Sequence, residues 1–515
     1  MAKVVAIDAG TTGVRALVVD ERARITDVAY RELTQHFPRP GWVEHDPMEI
    51  WDAVRATLAE VGTRLSDSGT TEAVAAIGIT NQRETLVAFD RATGRPLHRA
   101  IVWQDRRTAP MCAALVESGH LPTVRATTGL VLDPYFSATK AAWLLQHGDL
   151  ALGADDENLS FCTVDTWVLW NLTGASAGGV YATDVSNASR TLLFDTATLA
   201  WSPALCDLFG VPPHTLPEVR PSAGRFGAAR LAHLGDAARA LHDVPVSGVL
   251  GDQQAALFGQ ACFEPGMGKV TYGTGSFVLA NAGPRRPPAP DGLVVSCAWD
   301  LGAHAGAERE PVAYALEGSA FVSGAAIQWL RDGLGIIDAA AEAGPLAASV
   351  PDSGGVVFVP ALTGLGSPWW DPDARGIVTG ITRGVGRAQI ARATVEAMAF
   401  QVRDMTDAMA AASSSPLTLL RADGGAAAMD LLLQLQAEQS RLPVARPRSL
   451  ESTALGAATV AGLAEGVWSS LSELAAHWEV DTRFEPQLPP EVADAGHAAW
   501  RRAVDKAMGW ADDPV

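Results

Sequence analysis

Two stretches of the chain share one pattern: an apolar run, a short turn rich in glycine and threonine, and a second apolar run. The first stretch spans residues 4–20, with Asp8 at the end of its first run and Arg15 in its second run. The other spans residues 269–280, around the turn Gly273-Thr274-Gly275. Because β-rich apolar runs around a glycine-containing turn are typical of hairpins, both stretches predict a β-hairpin. The recurrence at mid-chain predicts two related halves.

Apolar strands and helical segments alternate along the rest of the chain, which is typical of the α/β class. Asp46 and Pro47 have the residue types of a helix N-cap and a first helical position. Residues 220–245 show no clear period and are expected to form surface loops. Further strands are predicted at 24–32, 74–80, 100–102, 246–251, 355–359 and 417–422, and helices at 47–65, 137–146, 319–331, 387–410 and 454–466.

The composition is that of an ordinary globular protein of more than one domain. A chain of 515 residues is too long for one core. The net charge of −19 disfavours nucleic acid or an anionic membrane as the main partner. The longest uncharged stretches are interrupted by Gly and Pro, which disfavours a membrane span. The first apolar run is broken by Asp8, so it predicts a strand and not a signal peptide.

The five cysteines are widely scattered. They form no CxxC pair, and no histidine cluster has the spacing of a metal site. Such a pattern is typical of reduced thiols, so we expect a cytoplasmic protein.

The first predicted turn has the composition of a phosphate site. Small residues let backbone N–H groups point into one concavity, and the hydroxyls of Thr11 and Thr12 add donors. A carboxylate at Asp8 could hold a phosphate-bound Mg²⁺, and Arg15 could reach a phosphate in the turn. The alternative is an ordinary hairpin in which Asp and Thr serve only the geometry of the turn.

Polar side chains follow the predicted strand 74–80 directly. Arg83 and Glu84 are the charged residues of this segment. Open α/β sheets bind ligands at the carboxyl ends of their strands, which favours a ligand role for both. A solvent-exposed turn is the alternative, and the residues themselves leave both possibilities open.

Three further side chains lie beside predicted elements. Trp103 follows the strand 100–102 and is either a core residue or the wall of a pocket. Tyr135, just before the helix 137–146, is either a packed aromatic or a polar-tipped pocket wall. Asp252 lies between a strand and a helix. It is therefore either an N-cap or a general base that a helix N-terminus keeps ionised.

Several motifs together identify a family. The phosphate and adenosine motifs are Asp8-Ala9-Gly10-Thr11-Thr12, Gly251-Asp252-Gln253-Gln254, Tyr272-Gly273-Thr274-Gly275 and Asp423-Gly424-Gly425, and the run 376–396 fits a C-terminal signature. With these, the chain resembles the FGGY family of carbohydrate kinases, within the actin–hexokinase–chaperone ATPase superfamily, over nearly its full length. Segments 41–47, 81–85, 133–136 and 315–318 are similar to those of family members that phosphorylate glycerol.

The resemblance implies an α/β fold of two related actin/hexokinase-like (ribonuclease H-like) domains with a catalytic cleft between them. Residues 1–253 would form the N-terminal FGGY domain, which binds polyol and phosphate. Residues 254–515 would form the C-terminal FGGY domain, which binds the nucleotide. The implied reaction is phosphorylation of glycerol to sn-glycerol 3-phosphate by in-line phosphoryl transfer, with ATP and Mg²⁺ as cofactors.

The resemblance also implies the role of individual residues. Asp252 would be the general base and Asp8 would hold the metal. The implied substrate residues are Arg83, Glu84, Trp103, Tyr135, Asp252, Gln253 and Phe277. The implied nucleotide residues are Thr11, Thr12, Gly13, Arg15, Thr274, Gly324, Gln328, Gly425 and Met429.

Three positions depart from the pattern of the members that phosphorylate glycerol. Ala9 replaces their usual Gln, and Met429 replaces an Asn that contacts adenine. Residues 225–245 lack the Gly- and Arg-containing loop that binds fructose 1,6-bisphosphate in regulated bacterial members, so this control is not expected.

The sequence leaves two rival functions open. One is a kinase for another small polyol or ketose, which Ala9 would favour if it reshapes the pocket. The other is a non-catalytic ATP- or sugar-binding sensor, which the retention of Asp8, Arg15 and Asp252 disfavours. With ATP and glycerol as small-molecule partners, we expect a homo-oligomer, a dimer or a tetramer.

Overall fold

The computed structural model describes residues 2–67, 73–148, 150–303, 310–412 and 416–511. In the first half, the strands in chain order are β1 (Lys3–Ala9), β2 (Gly13–Asp20), β3 (Ile25–Glu32), β4 (Glu44–His45), β5 (Val74–Asn81), β6 (Leu86–Asp90), β7 (Arg95–Pro96), β8 (Ala100–Ile101), β9 (Leu159–Thr163), β10 (Ala182–Asp184), β11 (Phe194–Asp195), β12 (Ala200–Trp201), β13 (Glu218–Arg220), β14 (Ala223–Ala228) and β15 (Pro245–Gly251). Its α-helices are α1 (Pro47–Asp67), α2 (Ala109–Glu117), α3 (Leu121–Thr128), α4 (Ser137–His147), α5 (Val164–Leu172), α6 (Val185–Ala188) and α7 (Pro203–Phe209).

The second half begins with the helix α8. Its strands are β16 (Met267–Tyr272), β17 (Ser276–Gly283), β18 (Val294–Trp299), β19 (Ala313–Ala320), β20 (Val357–Val359), β21 (Ile377–Thr379), β22 (Leu419–Asp423), β23 (Val444–Pro447) and β24 (Val480–Phe484). Its α-helices are α8 (Asp252–Gly259), α9 (Gly324–Asp332), α10 (Ala343–Ala348), α11 (Arg387–Ala412), α12 (Asp430–Ser440), α13 (Ser452–Ala464), α14 (Leu471–His477) and α15 (Pro490–Ala507).

A six-stranded sheet organises the first half, in the order β14-β15-β5-β1-β2-β3. β1 pairs antiparallel with β2 and parallel with β5, and β15 also runs parallel to β5. Alternate side chains of β1 point to opposite faces. Val5 and Ile7 pack in one core with α1, whereas Val4 and Ala6 pack in another with α13. The sheet is therefore covered on both faces.

A seven-stranded sheet organises the second half, in the order β18-β19-β17-β16-β22-β23-β24. β16 pairs antiparallel with β17 and parallel with β22, which repeats the pairings of β1 with β2 and β5. Val278 packs in the core that contains α11, and the adjacent Leu279 packs in the core that contains α8. The two predicted hairpins and the two related halves are thus confirmed.

The halves meet along the helices α8 and α13, which touch backbone to backbone. A Cβ atom on Gly456 would lie 1.8 Å from the carbonyl oxygen of Ala255. One on Gly259 would lie 2.0 Å from the carbonyl oxygen of Ser452. Only glycine permits such an approach. Although α13 belongs to the second half by sequence, it packs against the first sheet, so the chain crosses back over the interface.

Two predictions of local structure were wrong. The helix expected at 319–331 begins only at Gly324, because Ser319 and Ala320 continue β19 and pair with β17. The segment 220–245 contains the edge strand β14, which pairs with β15, and a 3₁₀ helix. A register shift within β14 interrupts its ladder, which explains why the segment shows no period.

All five cysteines are buried and free, as their scattered positions predict. None of the described helices combines the length and the apolar character that crossing a membrane requires.

Candidate functional site

Three parallel strands deliver the predicted catalytic side chains to one edge of the first sheet. Asp8 of β1 lies opposite Thr80 of β5, and Gly251 of β15 lies opposite Asn81. The segment after β5 carries Arg83 and Glu84, and the segment after β15 begins with Asp252. Because the strands end side by side, residues far apart in the chain converge on the mouth of one cleft.

The turn of the first hairpin is closed by a hydrogen bond from the Gly10 amide to the Gly13 carbonyl, at 3.0 Å. The hydroxyl of Thr11 accepts a hydrogen bond from the indole of Trp103 at 2.9 Å. This contact joins the predicted phosphate turn to the predicted substrate wall. Thr12 is exposed beside it. Gly13 is buried, and a Cβ atom there would lie 2.6 Å from the backbone carbonyl oxygen of Arg31, so packing alone requires a glycine.

Asp8 is buried and paired with Arg15, whose guanidinium donates to Asp8 Oδ2 at 2.7 Å and also to Glu451. Burial raises the pKa of Asp8, and the Arg15 charge opposes that effect. Arg15 thus has two carboxylate partners here, whereas the sequence predicted a phosphate partner. The adjacent Ala9 is fully buried in the core that contains α1. It therefore does not form a wall of the cleft.

Arg83 is buried at the centre of a network of polar contacts. Its two terminal nitrogens donate to both carboxylate oxygens of Glu317, each at 2.8 Å. The same nitrogens reach Gln254 at 3.1 Å and the Tyr135 hydroxyl at 3.2 Å. Its Nε lies 3.1 Å from Asp252 Oδ1. The solvent-exposed alternative for this residue is wrong.

Glu84 is buried as well, in a backbone conformation that side chains rarely adopt, with φ of 60°. Arg190 donates to its Oε1 at 2.6 Å, and Lys140 and Ser137 donate to its carbonyl oxygen. For a residue other than glycine, the left-handed conformation costs about 1–3 kcal/mol and persists only where the surrounding contacts hold it. Backbone strain is found most often at active sites and ligand-binding sites, which favours a binding role for Glu84.

Three aromatic rings form an apolar wall beside these charges. The Trp103 ring meets Tyr135 edge-on at 5.6 Å between centroids and Phe277 at 6.3 Å. Trp103 and Tyr135 come from the first half, and Phe277 comes from β17 of the second half. The three aromatic residues predicted for the substrate therefore lie together.

Asp252 is the first residue of α8, and Gly251 holds the N-cap position. Its side chain is 28% exposed, so it faces the cleft. Burial raises the pKa of Asp252, and the positive charges of Arg83 and Lys269 oppose that effect. The neighbouring Gln253 accepts a hydrogen bond from the buried ammonium of Lys269. A carboxylate with a raised pKa beside a cleft is suited to general-base catalysis.

A cavity of about 740 Å³ opens in the second half, within the size range of small-molecule sites. It is bounded by the turn of the second hairpin, by α9 and α10, and by the start of α12. A Cβ atom on Gly425 would meet nothing within 4 Å, so its backbone is open to a flat ligand. Five of the predicted nucleotide residues line this cavity: Thr274, Gly324, Gln328, Gly425 and Met429.

Three buried charges of the site were not predicted as functional: Arg190, Lys269 and Glu317. Glu317 stands inside the apolar strand β19, and Lys269 stands inside β16. A charged residue within an apolar strand was the signal available, since such a residue stays buried only when it is paired. The partners of Arg190 and Glu317 come from distant segments, so their pairing could not be read from the sequence.

Known proteins match this chain over nearly all its length. The FGGY family of carbohydrate kinases matches with its N-terminal domain over residues 3–259 and with its C-terminal domain over residues 268–465. A glycerol kinase of Symbiobacterium thermophilum is 51% identical over 513 residues, which cover 99% of each chain. A glycerol kinase of Aromatoleum aromaticum is 50% identical over 516 residues, again 99% of each chain.

Solved structures agree with these matches. The crystal structure of Plasmodium falciparum glycerol kinase with ADP superimposes with a TM-score of 0.90, at 33% identity and 98% coverage of both chains. A gluconate kinase from Lactobacillus acidophilus shares the fold, with a TM-score of 0.84 at 20% identity. Together, the two family domains cover most of the sequence, and the chain belongs to the FGGY family of carbohydrate kinases.

Proposed function

We propose that this protein transfers the γ-phosphate of ATP to a terminal hydroxyl of glycerol, giving sn-glycerol 3-phosphate. The observation that carries the proposal is the cluster of polar side chains of Arg83, Glu84, Tyr135 and Asp252 against an aromatic wall, which is the polyol pocket of this proposal. A triol needs several fixed hydrogen-bonding partners and one apolar face, and this pocket supplies both. The full-length similarity to glycerol kinases supports the same substrate.

In this proposal, each residue of the site has a role that follows from its position. Arg83, Glu84, Tyr135 and Gln253 would hold the polyol hydroxyls, and Trp103 and Phe277 would cover its carbon chain. Asp252 would accept the proton of the attacking hydroxyl as that oxygen bonds to the γ-phosphorus and the bond to the ADP oxygen breaks. The second-half cavity would hold the nucleotide, with its phosphates between the two hairpin turns. Closure of the cleft would exclude water as a competing acceptor.

Mg²⁺ is part of the proposal. In the described ranges, no three His, Cys, Asp or Glu side chains form a cage for a metal ion. Magnesium in kinases is held by one or two carboxylates together with the phosphates, and the buried carboxylate of Asp8 fits that need. When bound, Mg²⁺ would neutralise charge on the phosphates. In this scheme Arg15 fixes the Asp8 carboxylate, and the two threonines of the turn donate to phosphate oxygens.

The test of the function is ADP release by the purified protein with glycerol, with a panel of other polyols and ketoses, and with no acceptor. Glycerol should give the highest kcat/KM. A higher value for another polyol or ketose would favour the rival kinase function. ADP release that no acceptor increases would favour a non-catalytic sensor. Since Ala9 lies in the core and not in the pocket wall, the structure gives no support to a reshaped pocket.

Glu84→Ala should raise the KM for glycerol by about 10-fold or more, because the buried Arg190 loses its 2.6 Å partner and keeps only the longer contact of 3.2 Å with Glu317. The KM for ATP should change little, since Glu84 does not line the nucleotide cavity. Steady-state kinetics with each substrate varied in turn measure both values. Glu117→Ala, on the exposed face of α2, is the matched control. Equal effects on the two KM values would place Glu84 outside the polyol pocket.

Met429 should make the preference for ATP over GTP weak, less than about 10-fold in kcat/KM. The reason is that a thioether makes no hydrogen bonds that distinguish the edge of adenine from that of guanine. The neighbouring Asp430 is paired with Arg446 at 2.7 Å, so it is not free to replace the missing amide. Met429→Asn should sharpen the preference. The ratio of kcat/KM for ATP and GTP in both proteins is the measurement, and a strong preference unchanged by the substitution would contradict it.

A cytoplasmic location and an assembly of two or four copies remain predictions. The division of the chain at residues 253 and 254 also remains one, and it falls within the first turn of α8. Size-exclusion chromatography with light scattering would determine the assembly.

A further inference from the structure

One carboxylate of the second half reaches into the polyol pocket of the first half. Glu317 is fully buried on β19, yet its charged partners, Arg83 and Arg190, both belong to the first half. Its carboxylate accepts two hydrogen bonds of 2.8 Å from Arg83 and one of 3.2 Å from Arg190. Burial alone would raise the pKa of Glu317, but the two arginines outweigh it and hold the pKa at about 2. The carboxylate is therefore ionised.

The contacts of Arg83 account for all four N–H groups of its terminal nitrogens. One nitrogen donates to Glu317 and Gln254, and the other donates to Glu317 and the Tyr135 hydroxyl. Only the Nε–H is left, and it is buried without a hydrogen-bond partner beside Asp252. A guanidinium is planar, so hydrogen bonds that fix both of its terminal nitrogens also fix the direction of the Nε–H.

Asp252 could compete with Glu317 as the carboxylate partner of Arg83. Two buried guanidiniums face three carboxylates, those of Glu84, Asp252 and Glu317. Without the charge of Glu317, the nearest free carboxylate for the Arg83 guanidinium would be Asp252, at 3.1 Å from Nε. If the terminal nitrogens of Arg83 turned to Asp252, the guanidinium would leave the position in which it would bind the polyol.

We propose that Glu317 is a positioning residue for the acceptor substrate, which acts across the interface by holding Arg83 in the polyol pocket. The inference rests on the proposed function, because it assigns Arg83 to a polyol. It adds a charged contribution of the second half to binding the acceptor, beside the apolar wall that Phe277 supplies from the same half.

The test compares Glu317→Gln and Glu317→Asp with the unaltered enzyme. Glu317→Gln removes the charge at constant size and should raise the KM for glycerol about 10- to 100-fold, with the KM for ATP within about 2-fold. Glu317→Asp keeps the charge but is one methylene shorter, so it should restore part of the affinity. Calorimetric titration with glycerol in the absence of ATP measures the same loss without turnover.

A double variant separates positioning from general damage. If Glu317 acts through Arg83, then Glu317→Gln should raise the KM for glycerol no further in an enzyme that already carries Arg83→Met. Thermal melting of each variant shows whether it is folded. If Glu317→Gln does not fold, the comparison rests on Glu317→Asp alone and in the Arg83→Met background.

Three results would overturn the inference. They are equal changes in the two KM values, effects of the two substitutions that multiply, and a lowered melting temperature with unchanged affinity for glycerol. The unaltered enzyme in the same assay distinguishes the two levels of the proposal. If it phosphorylates glycerol while any of these results is obtained, only the role of Glu317 fails. If it does not phosphorylate glycerol, the proposed function and the inference fail together.

Discussion

Asp252→Asn is expected to lower kcat by about 10²–10⁴-fold while the KM for glycerol and the KM for ATP stay near their original values. The amide is nearly the size of the carboxylate and can still accept a hydrogen bond, but it cannot take a proton from the attacking hydroxyl. Rapid-quench or coupled-assay kinetics at saturating substrates measure the loss. Asp52→Asn on α1, an exposed carboxylate paired with Arg55, is the matched control.

The dependence of kcat on pH is a second test of Asp252 as the general base. Burial raises the pKa of Asp252 above the ordinary value of 3.8 for an aspartate, although Arg83 and Lys269 oppose the shift. The base works only when it is deprotonated, so kcat should fall as the pH is lowered through this raised pKa. The residual activity of Asp252→Asn should lack that limb. Near-normal turnover of the variant, or an unchanged acidic limb, would show that Asp252 is not the base.

Gly456→Val is expected to lower the free energy of unfolding by about 3 kcal/mol or more. Its Cβ atom would lie 1.8 Å from the carbonyl oxygen of Ala255; the α13 backbone fixes the position of the Cβ atom, and the oxygen belongs to the α8 backbone. The helices α8 and α13 would have to separate. Because α8 begins with Asp252, activity should fall together with stability. Denaturant titration and thermal melting measure the change.

Gly384→Ala is the control for this substitution. A Cβ atom on Gly384 would meet nothing within 4 Å, so its melting temperature should stay close to that of the unaltered protein. A Gly456→Val variant that melted at the same temperature as the control would contradict the tight contact between the two helices.

Local signals explain what could be predicted from the sequence. The two hairpins and the long helix α11 have their own periodicity and turn residues, so they needed no knowledge of the rest of the fold. Asp252 was identified as a candidate because a buried strand ends just before it. By contrast, the wrong start of α9 came from Ser319 and Ala320, which are strand residues only because β17 pairs with them.

The charged network could not be predicted in the same way. Arg190 lies 106 positions after Glu84, and Glu317 lies 234 positions after Arg83, so their pairing depends on the tertiary fold. The predicted partner of Arg15 was a phosphate, whereas in the structure Asp8 and Glu451 hold it. Burial sets these pairings, because an unpaired charge in the interior is too costly to keep.

The five free cysteines make the protein its own reporter of unfolding. Burial raises the pKa of Cys206 to about 11 and that of Cys112 and of Cys262 to about 12, so at neutral pH almost no thiolate is present. Alkylating reagents attack the thiolate, and the folded protein should therefore resist them. Mass-spectrometric mapping of maleimide labelling would then show, without any engineered probe, whether the region around Cys112 opens before the strand that carries Cys297.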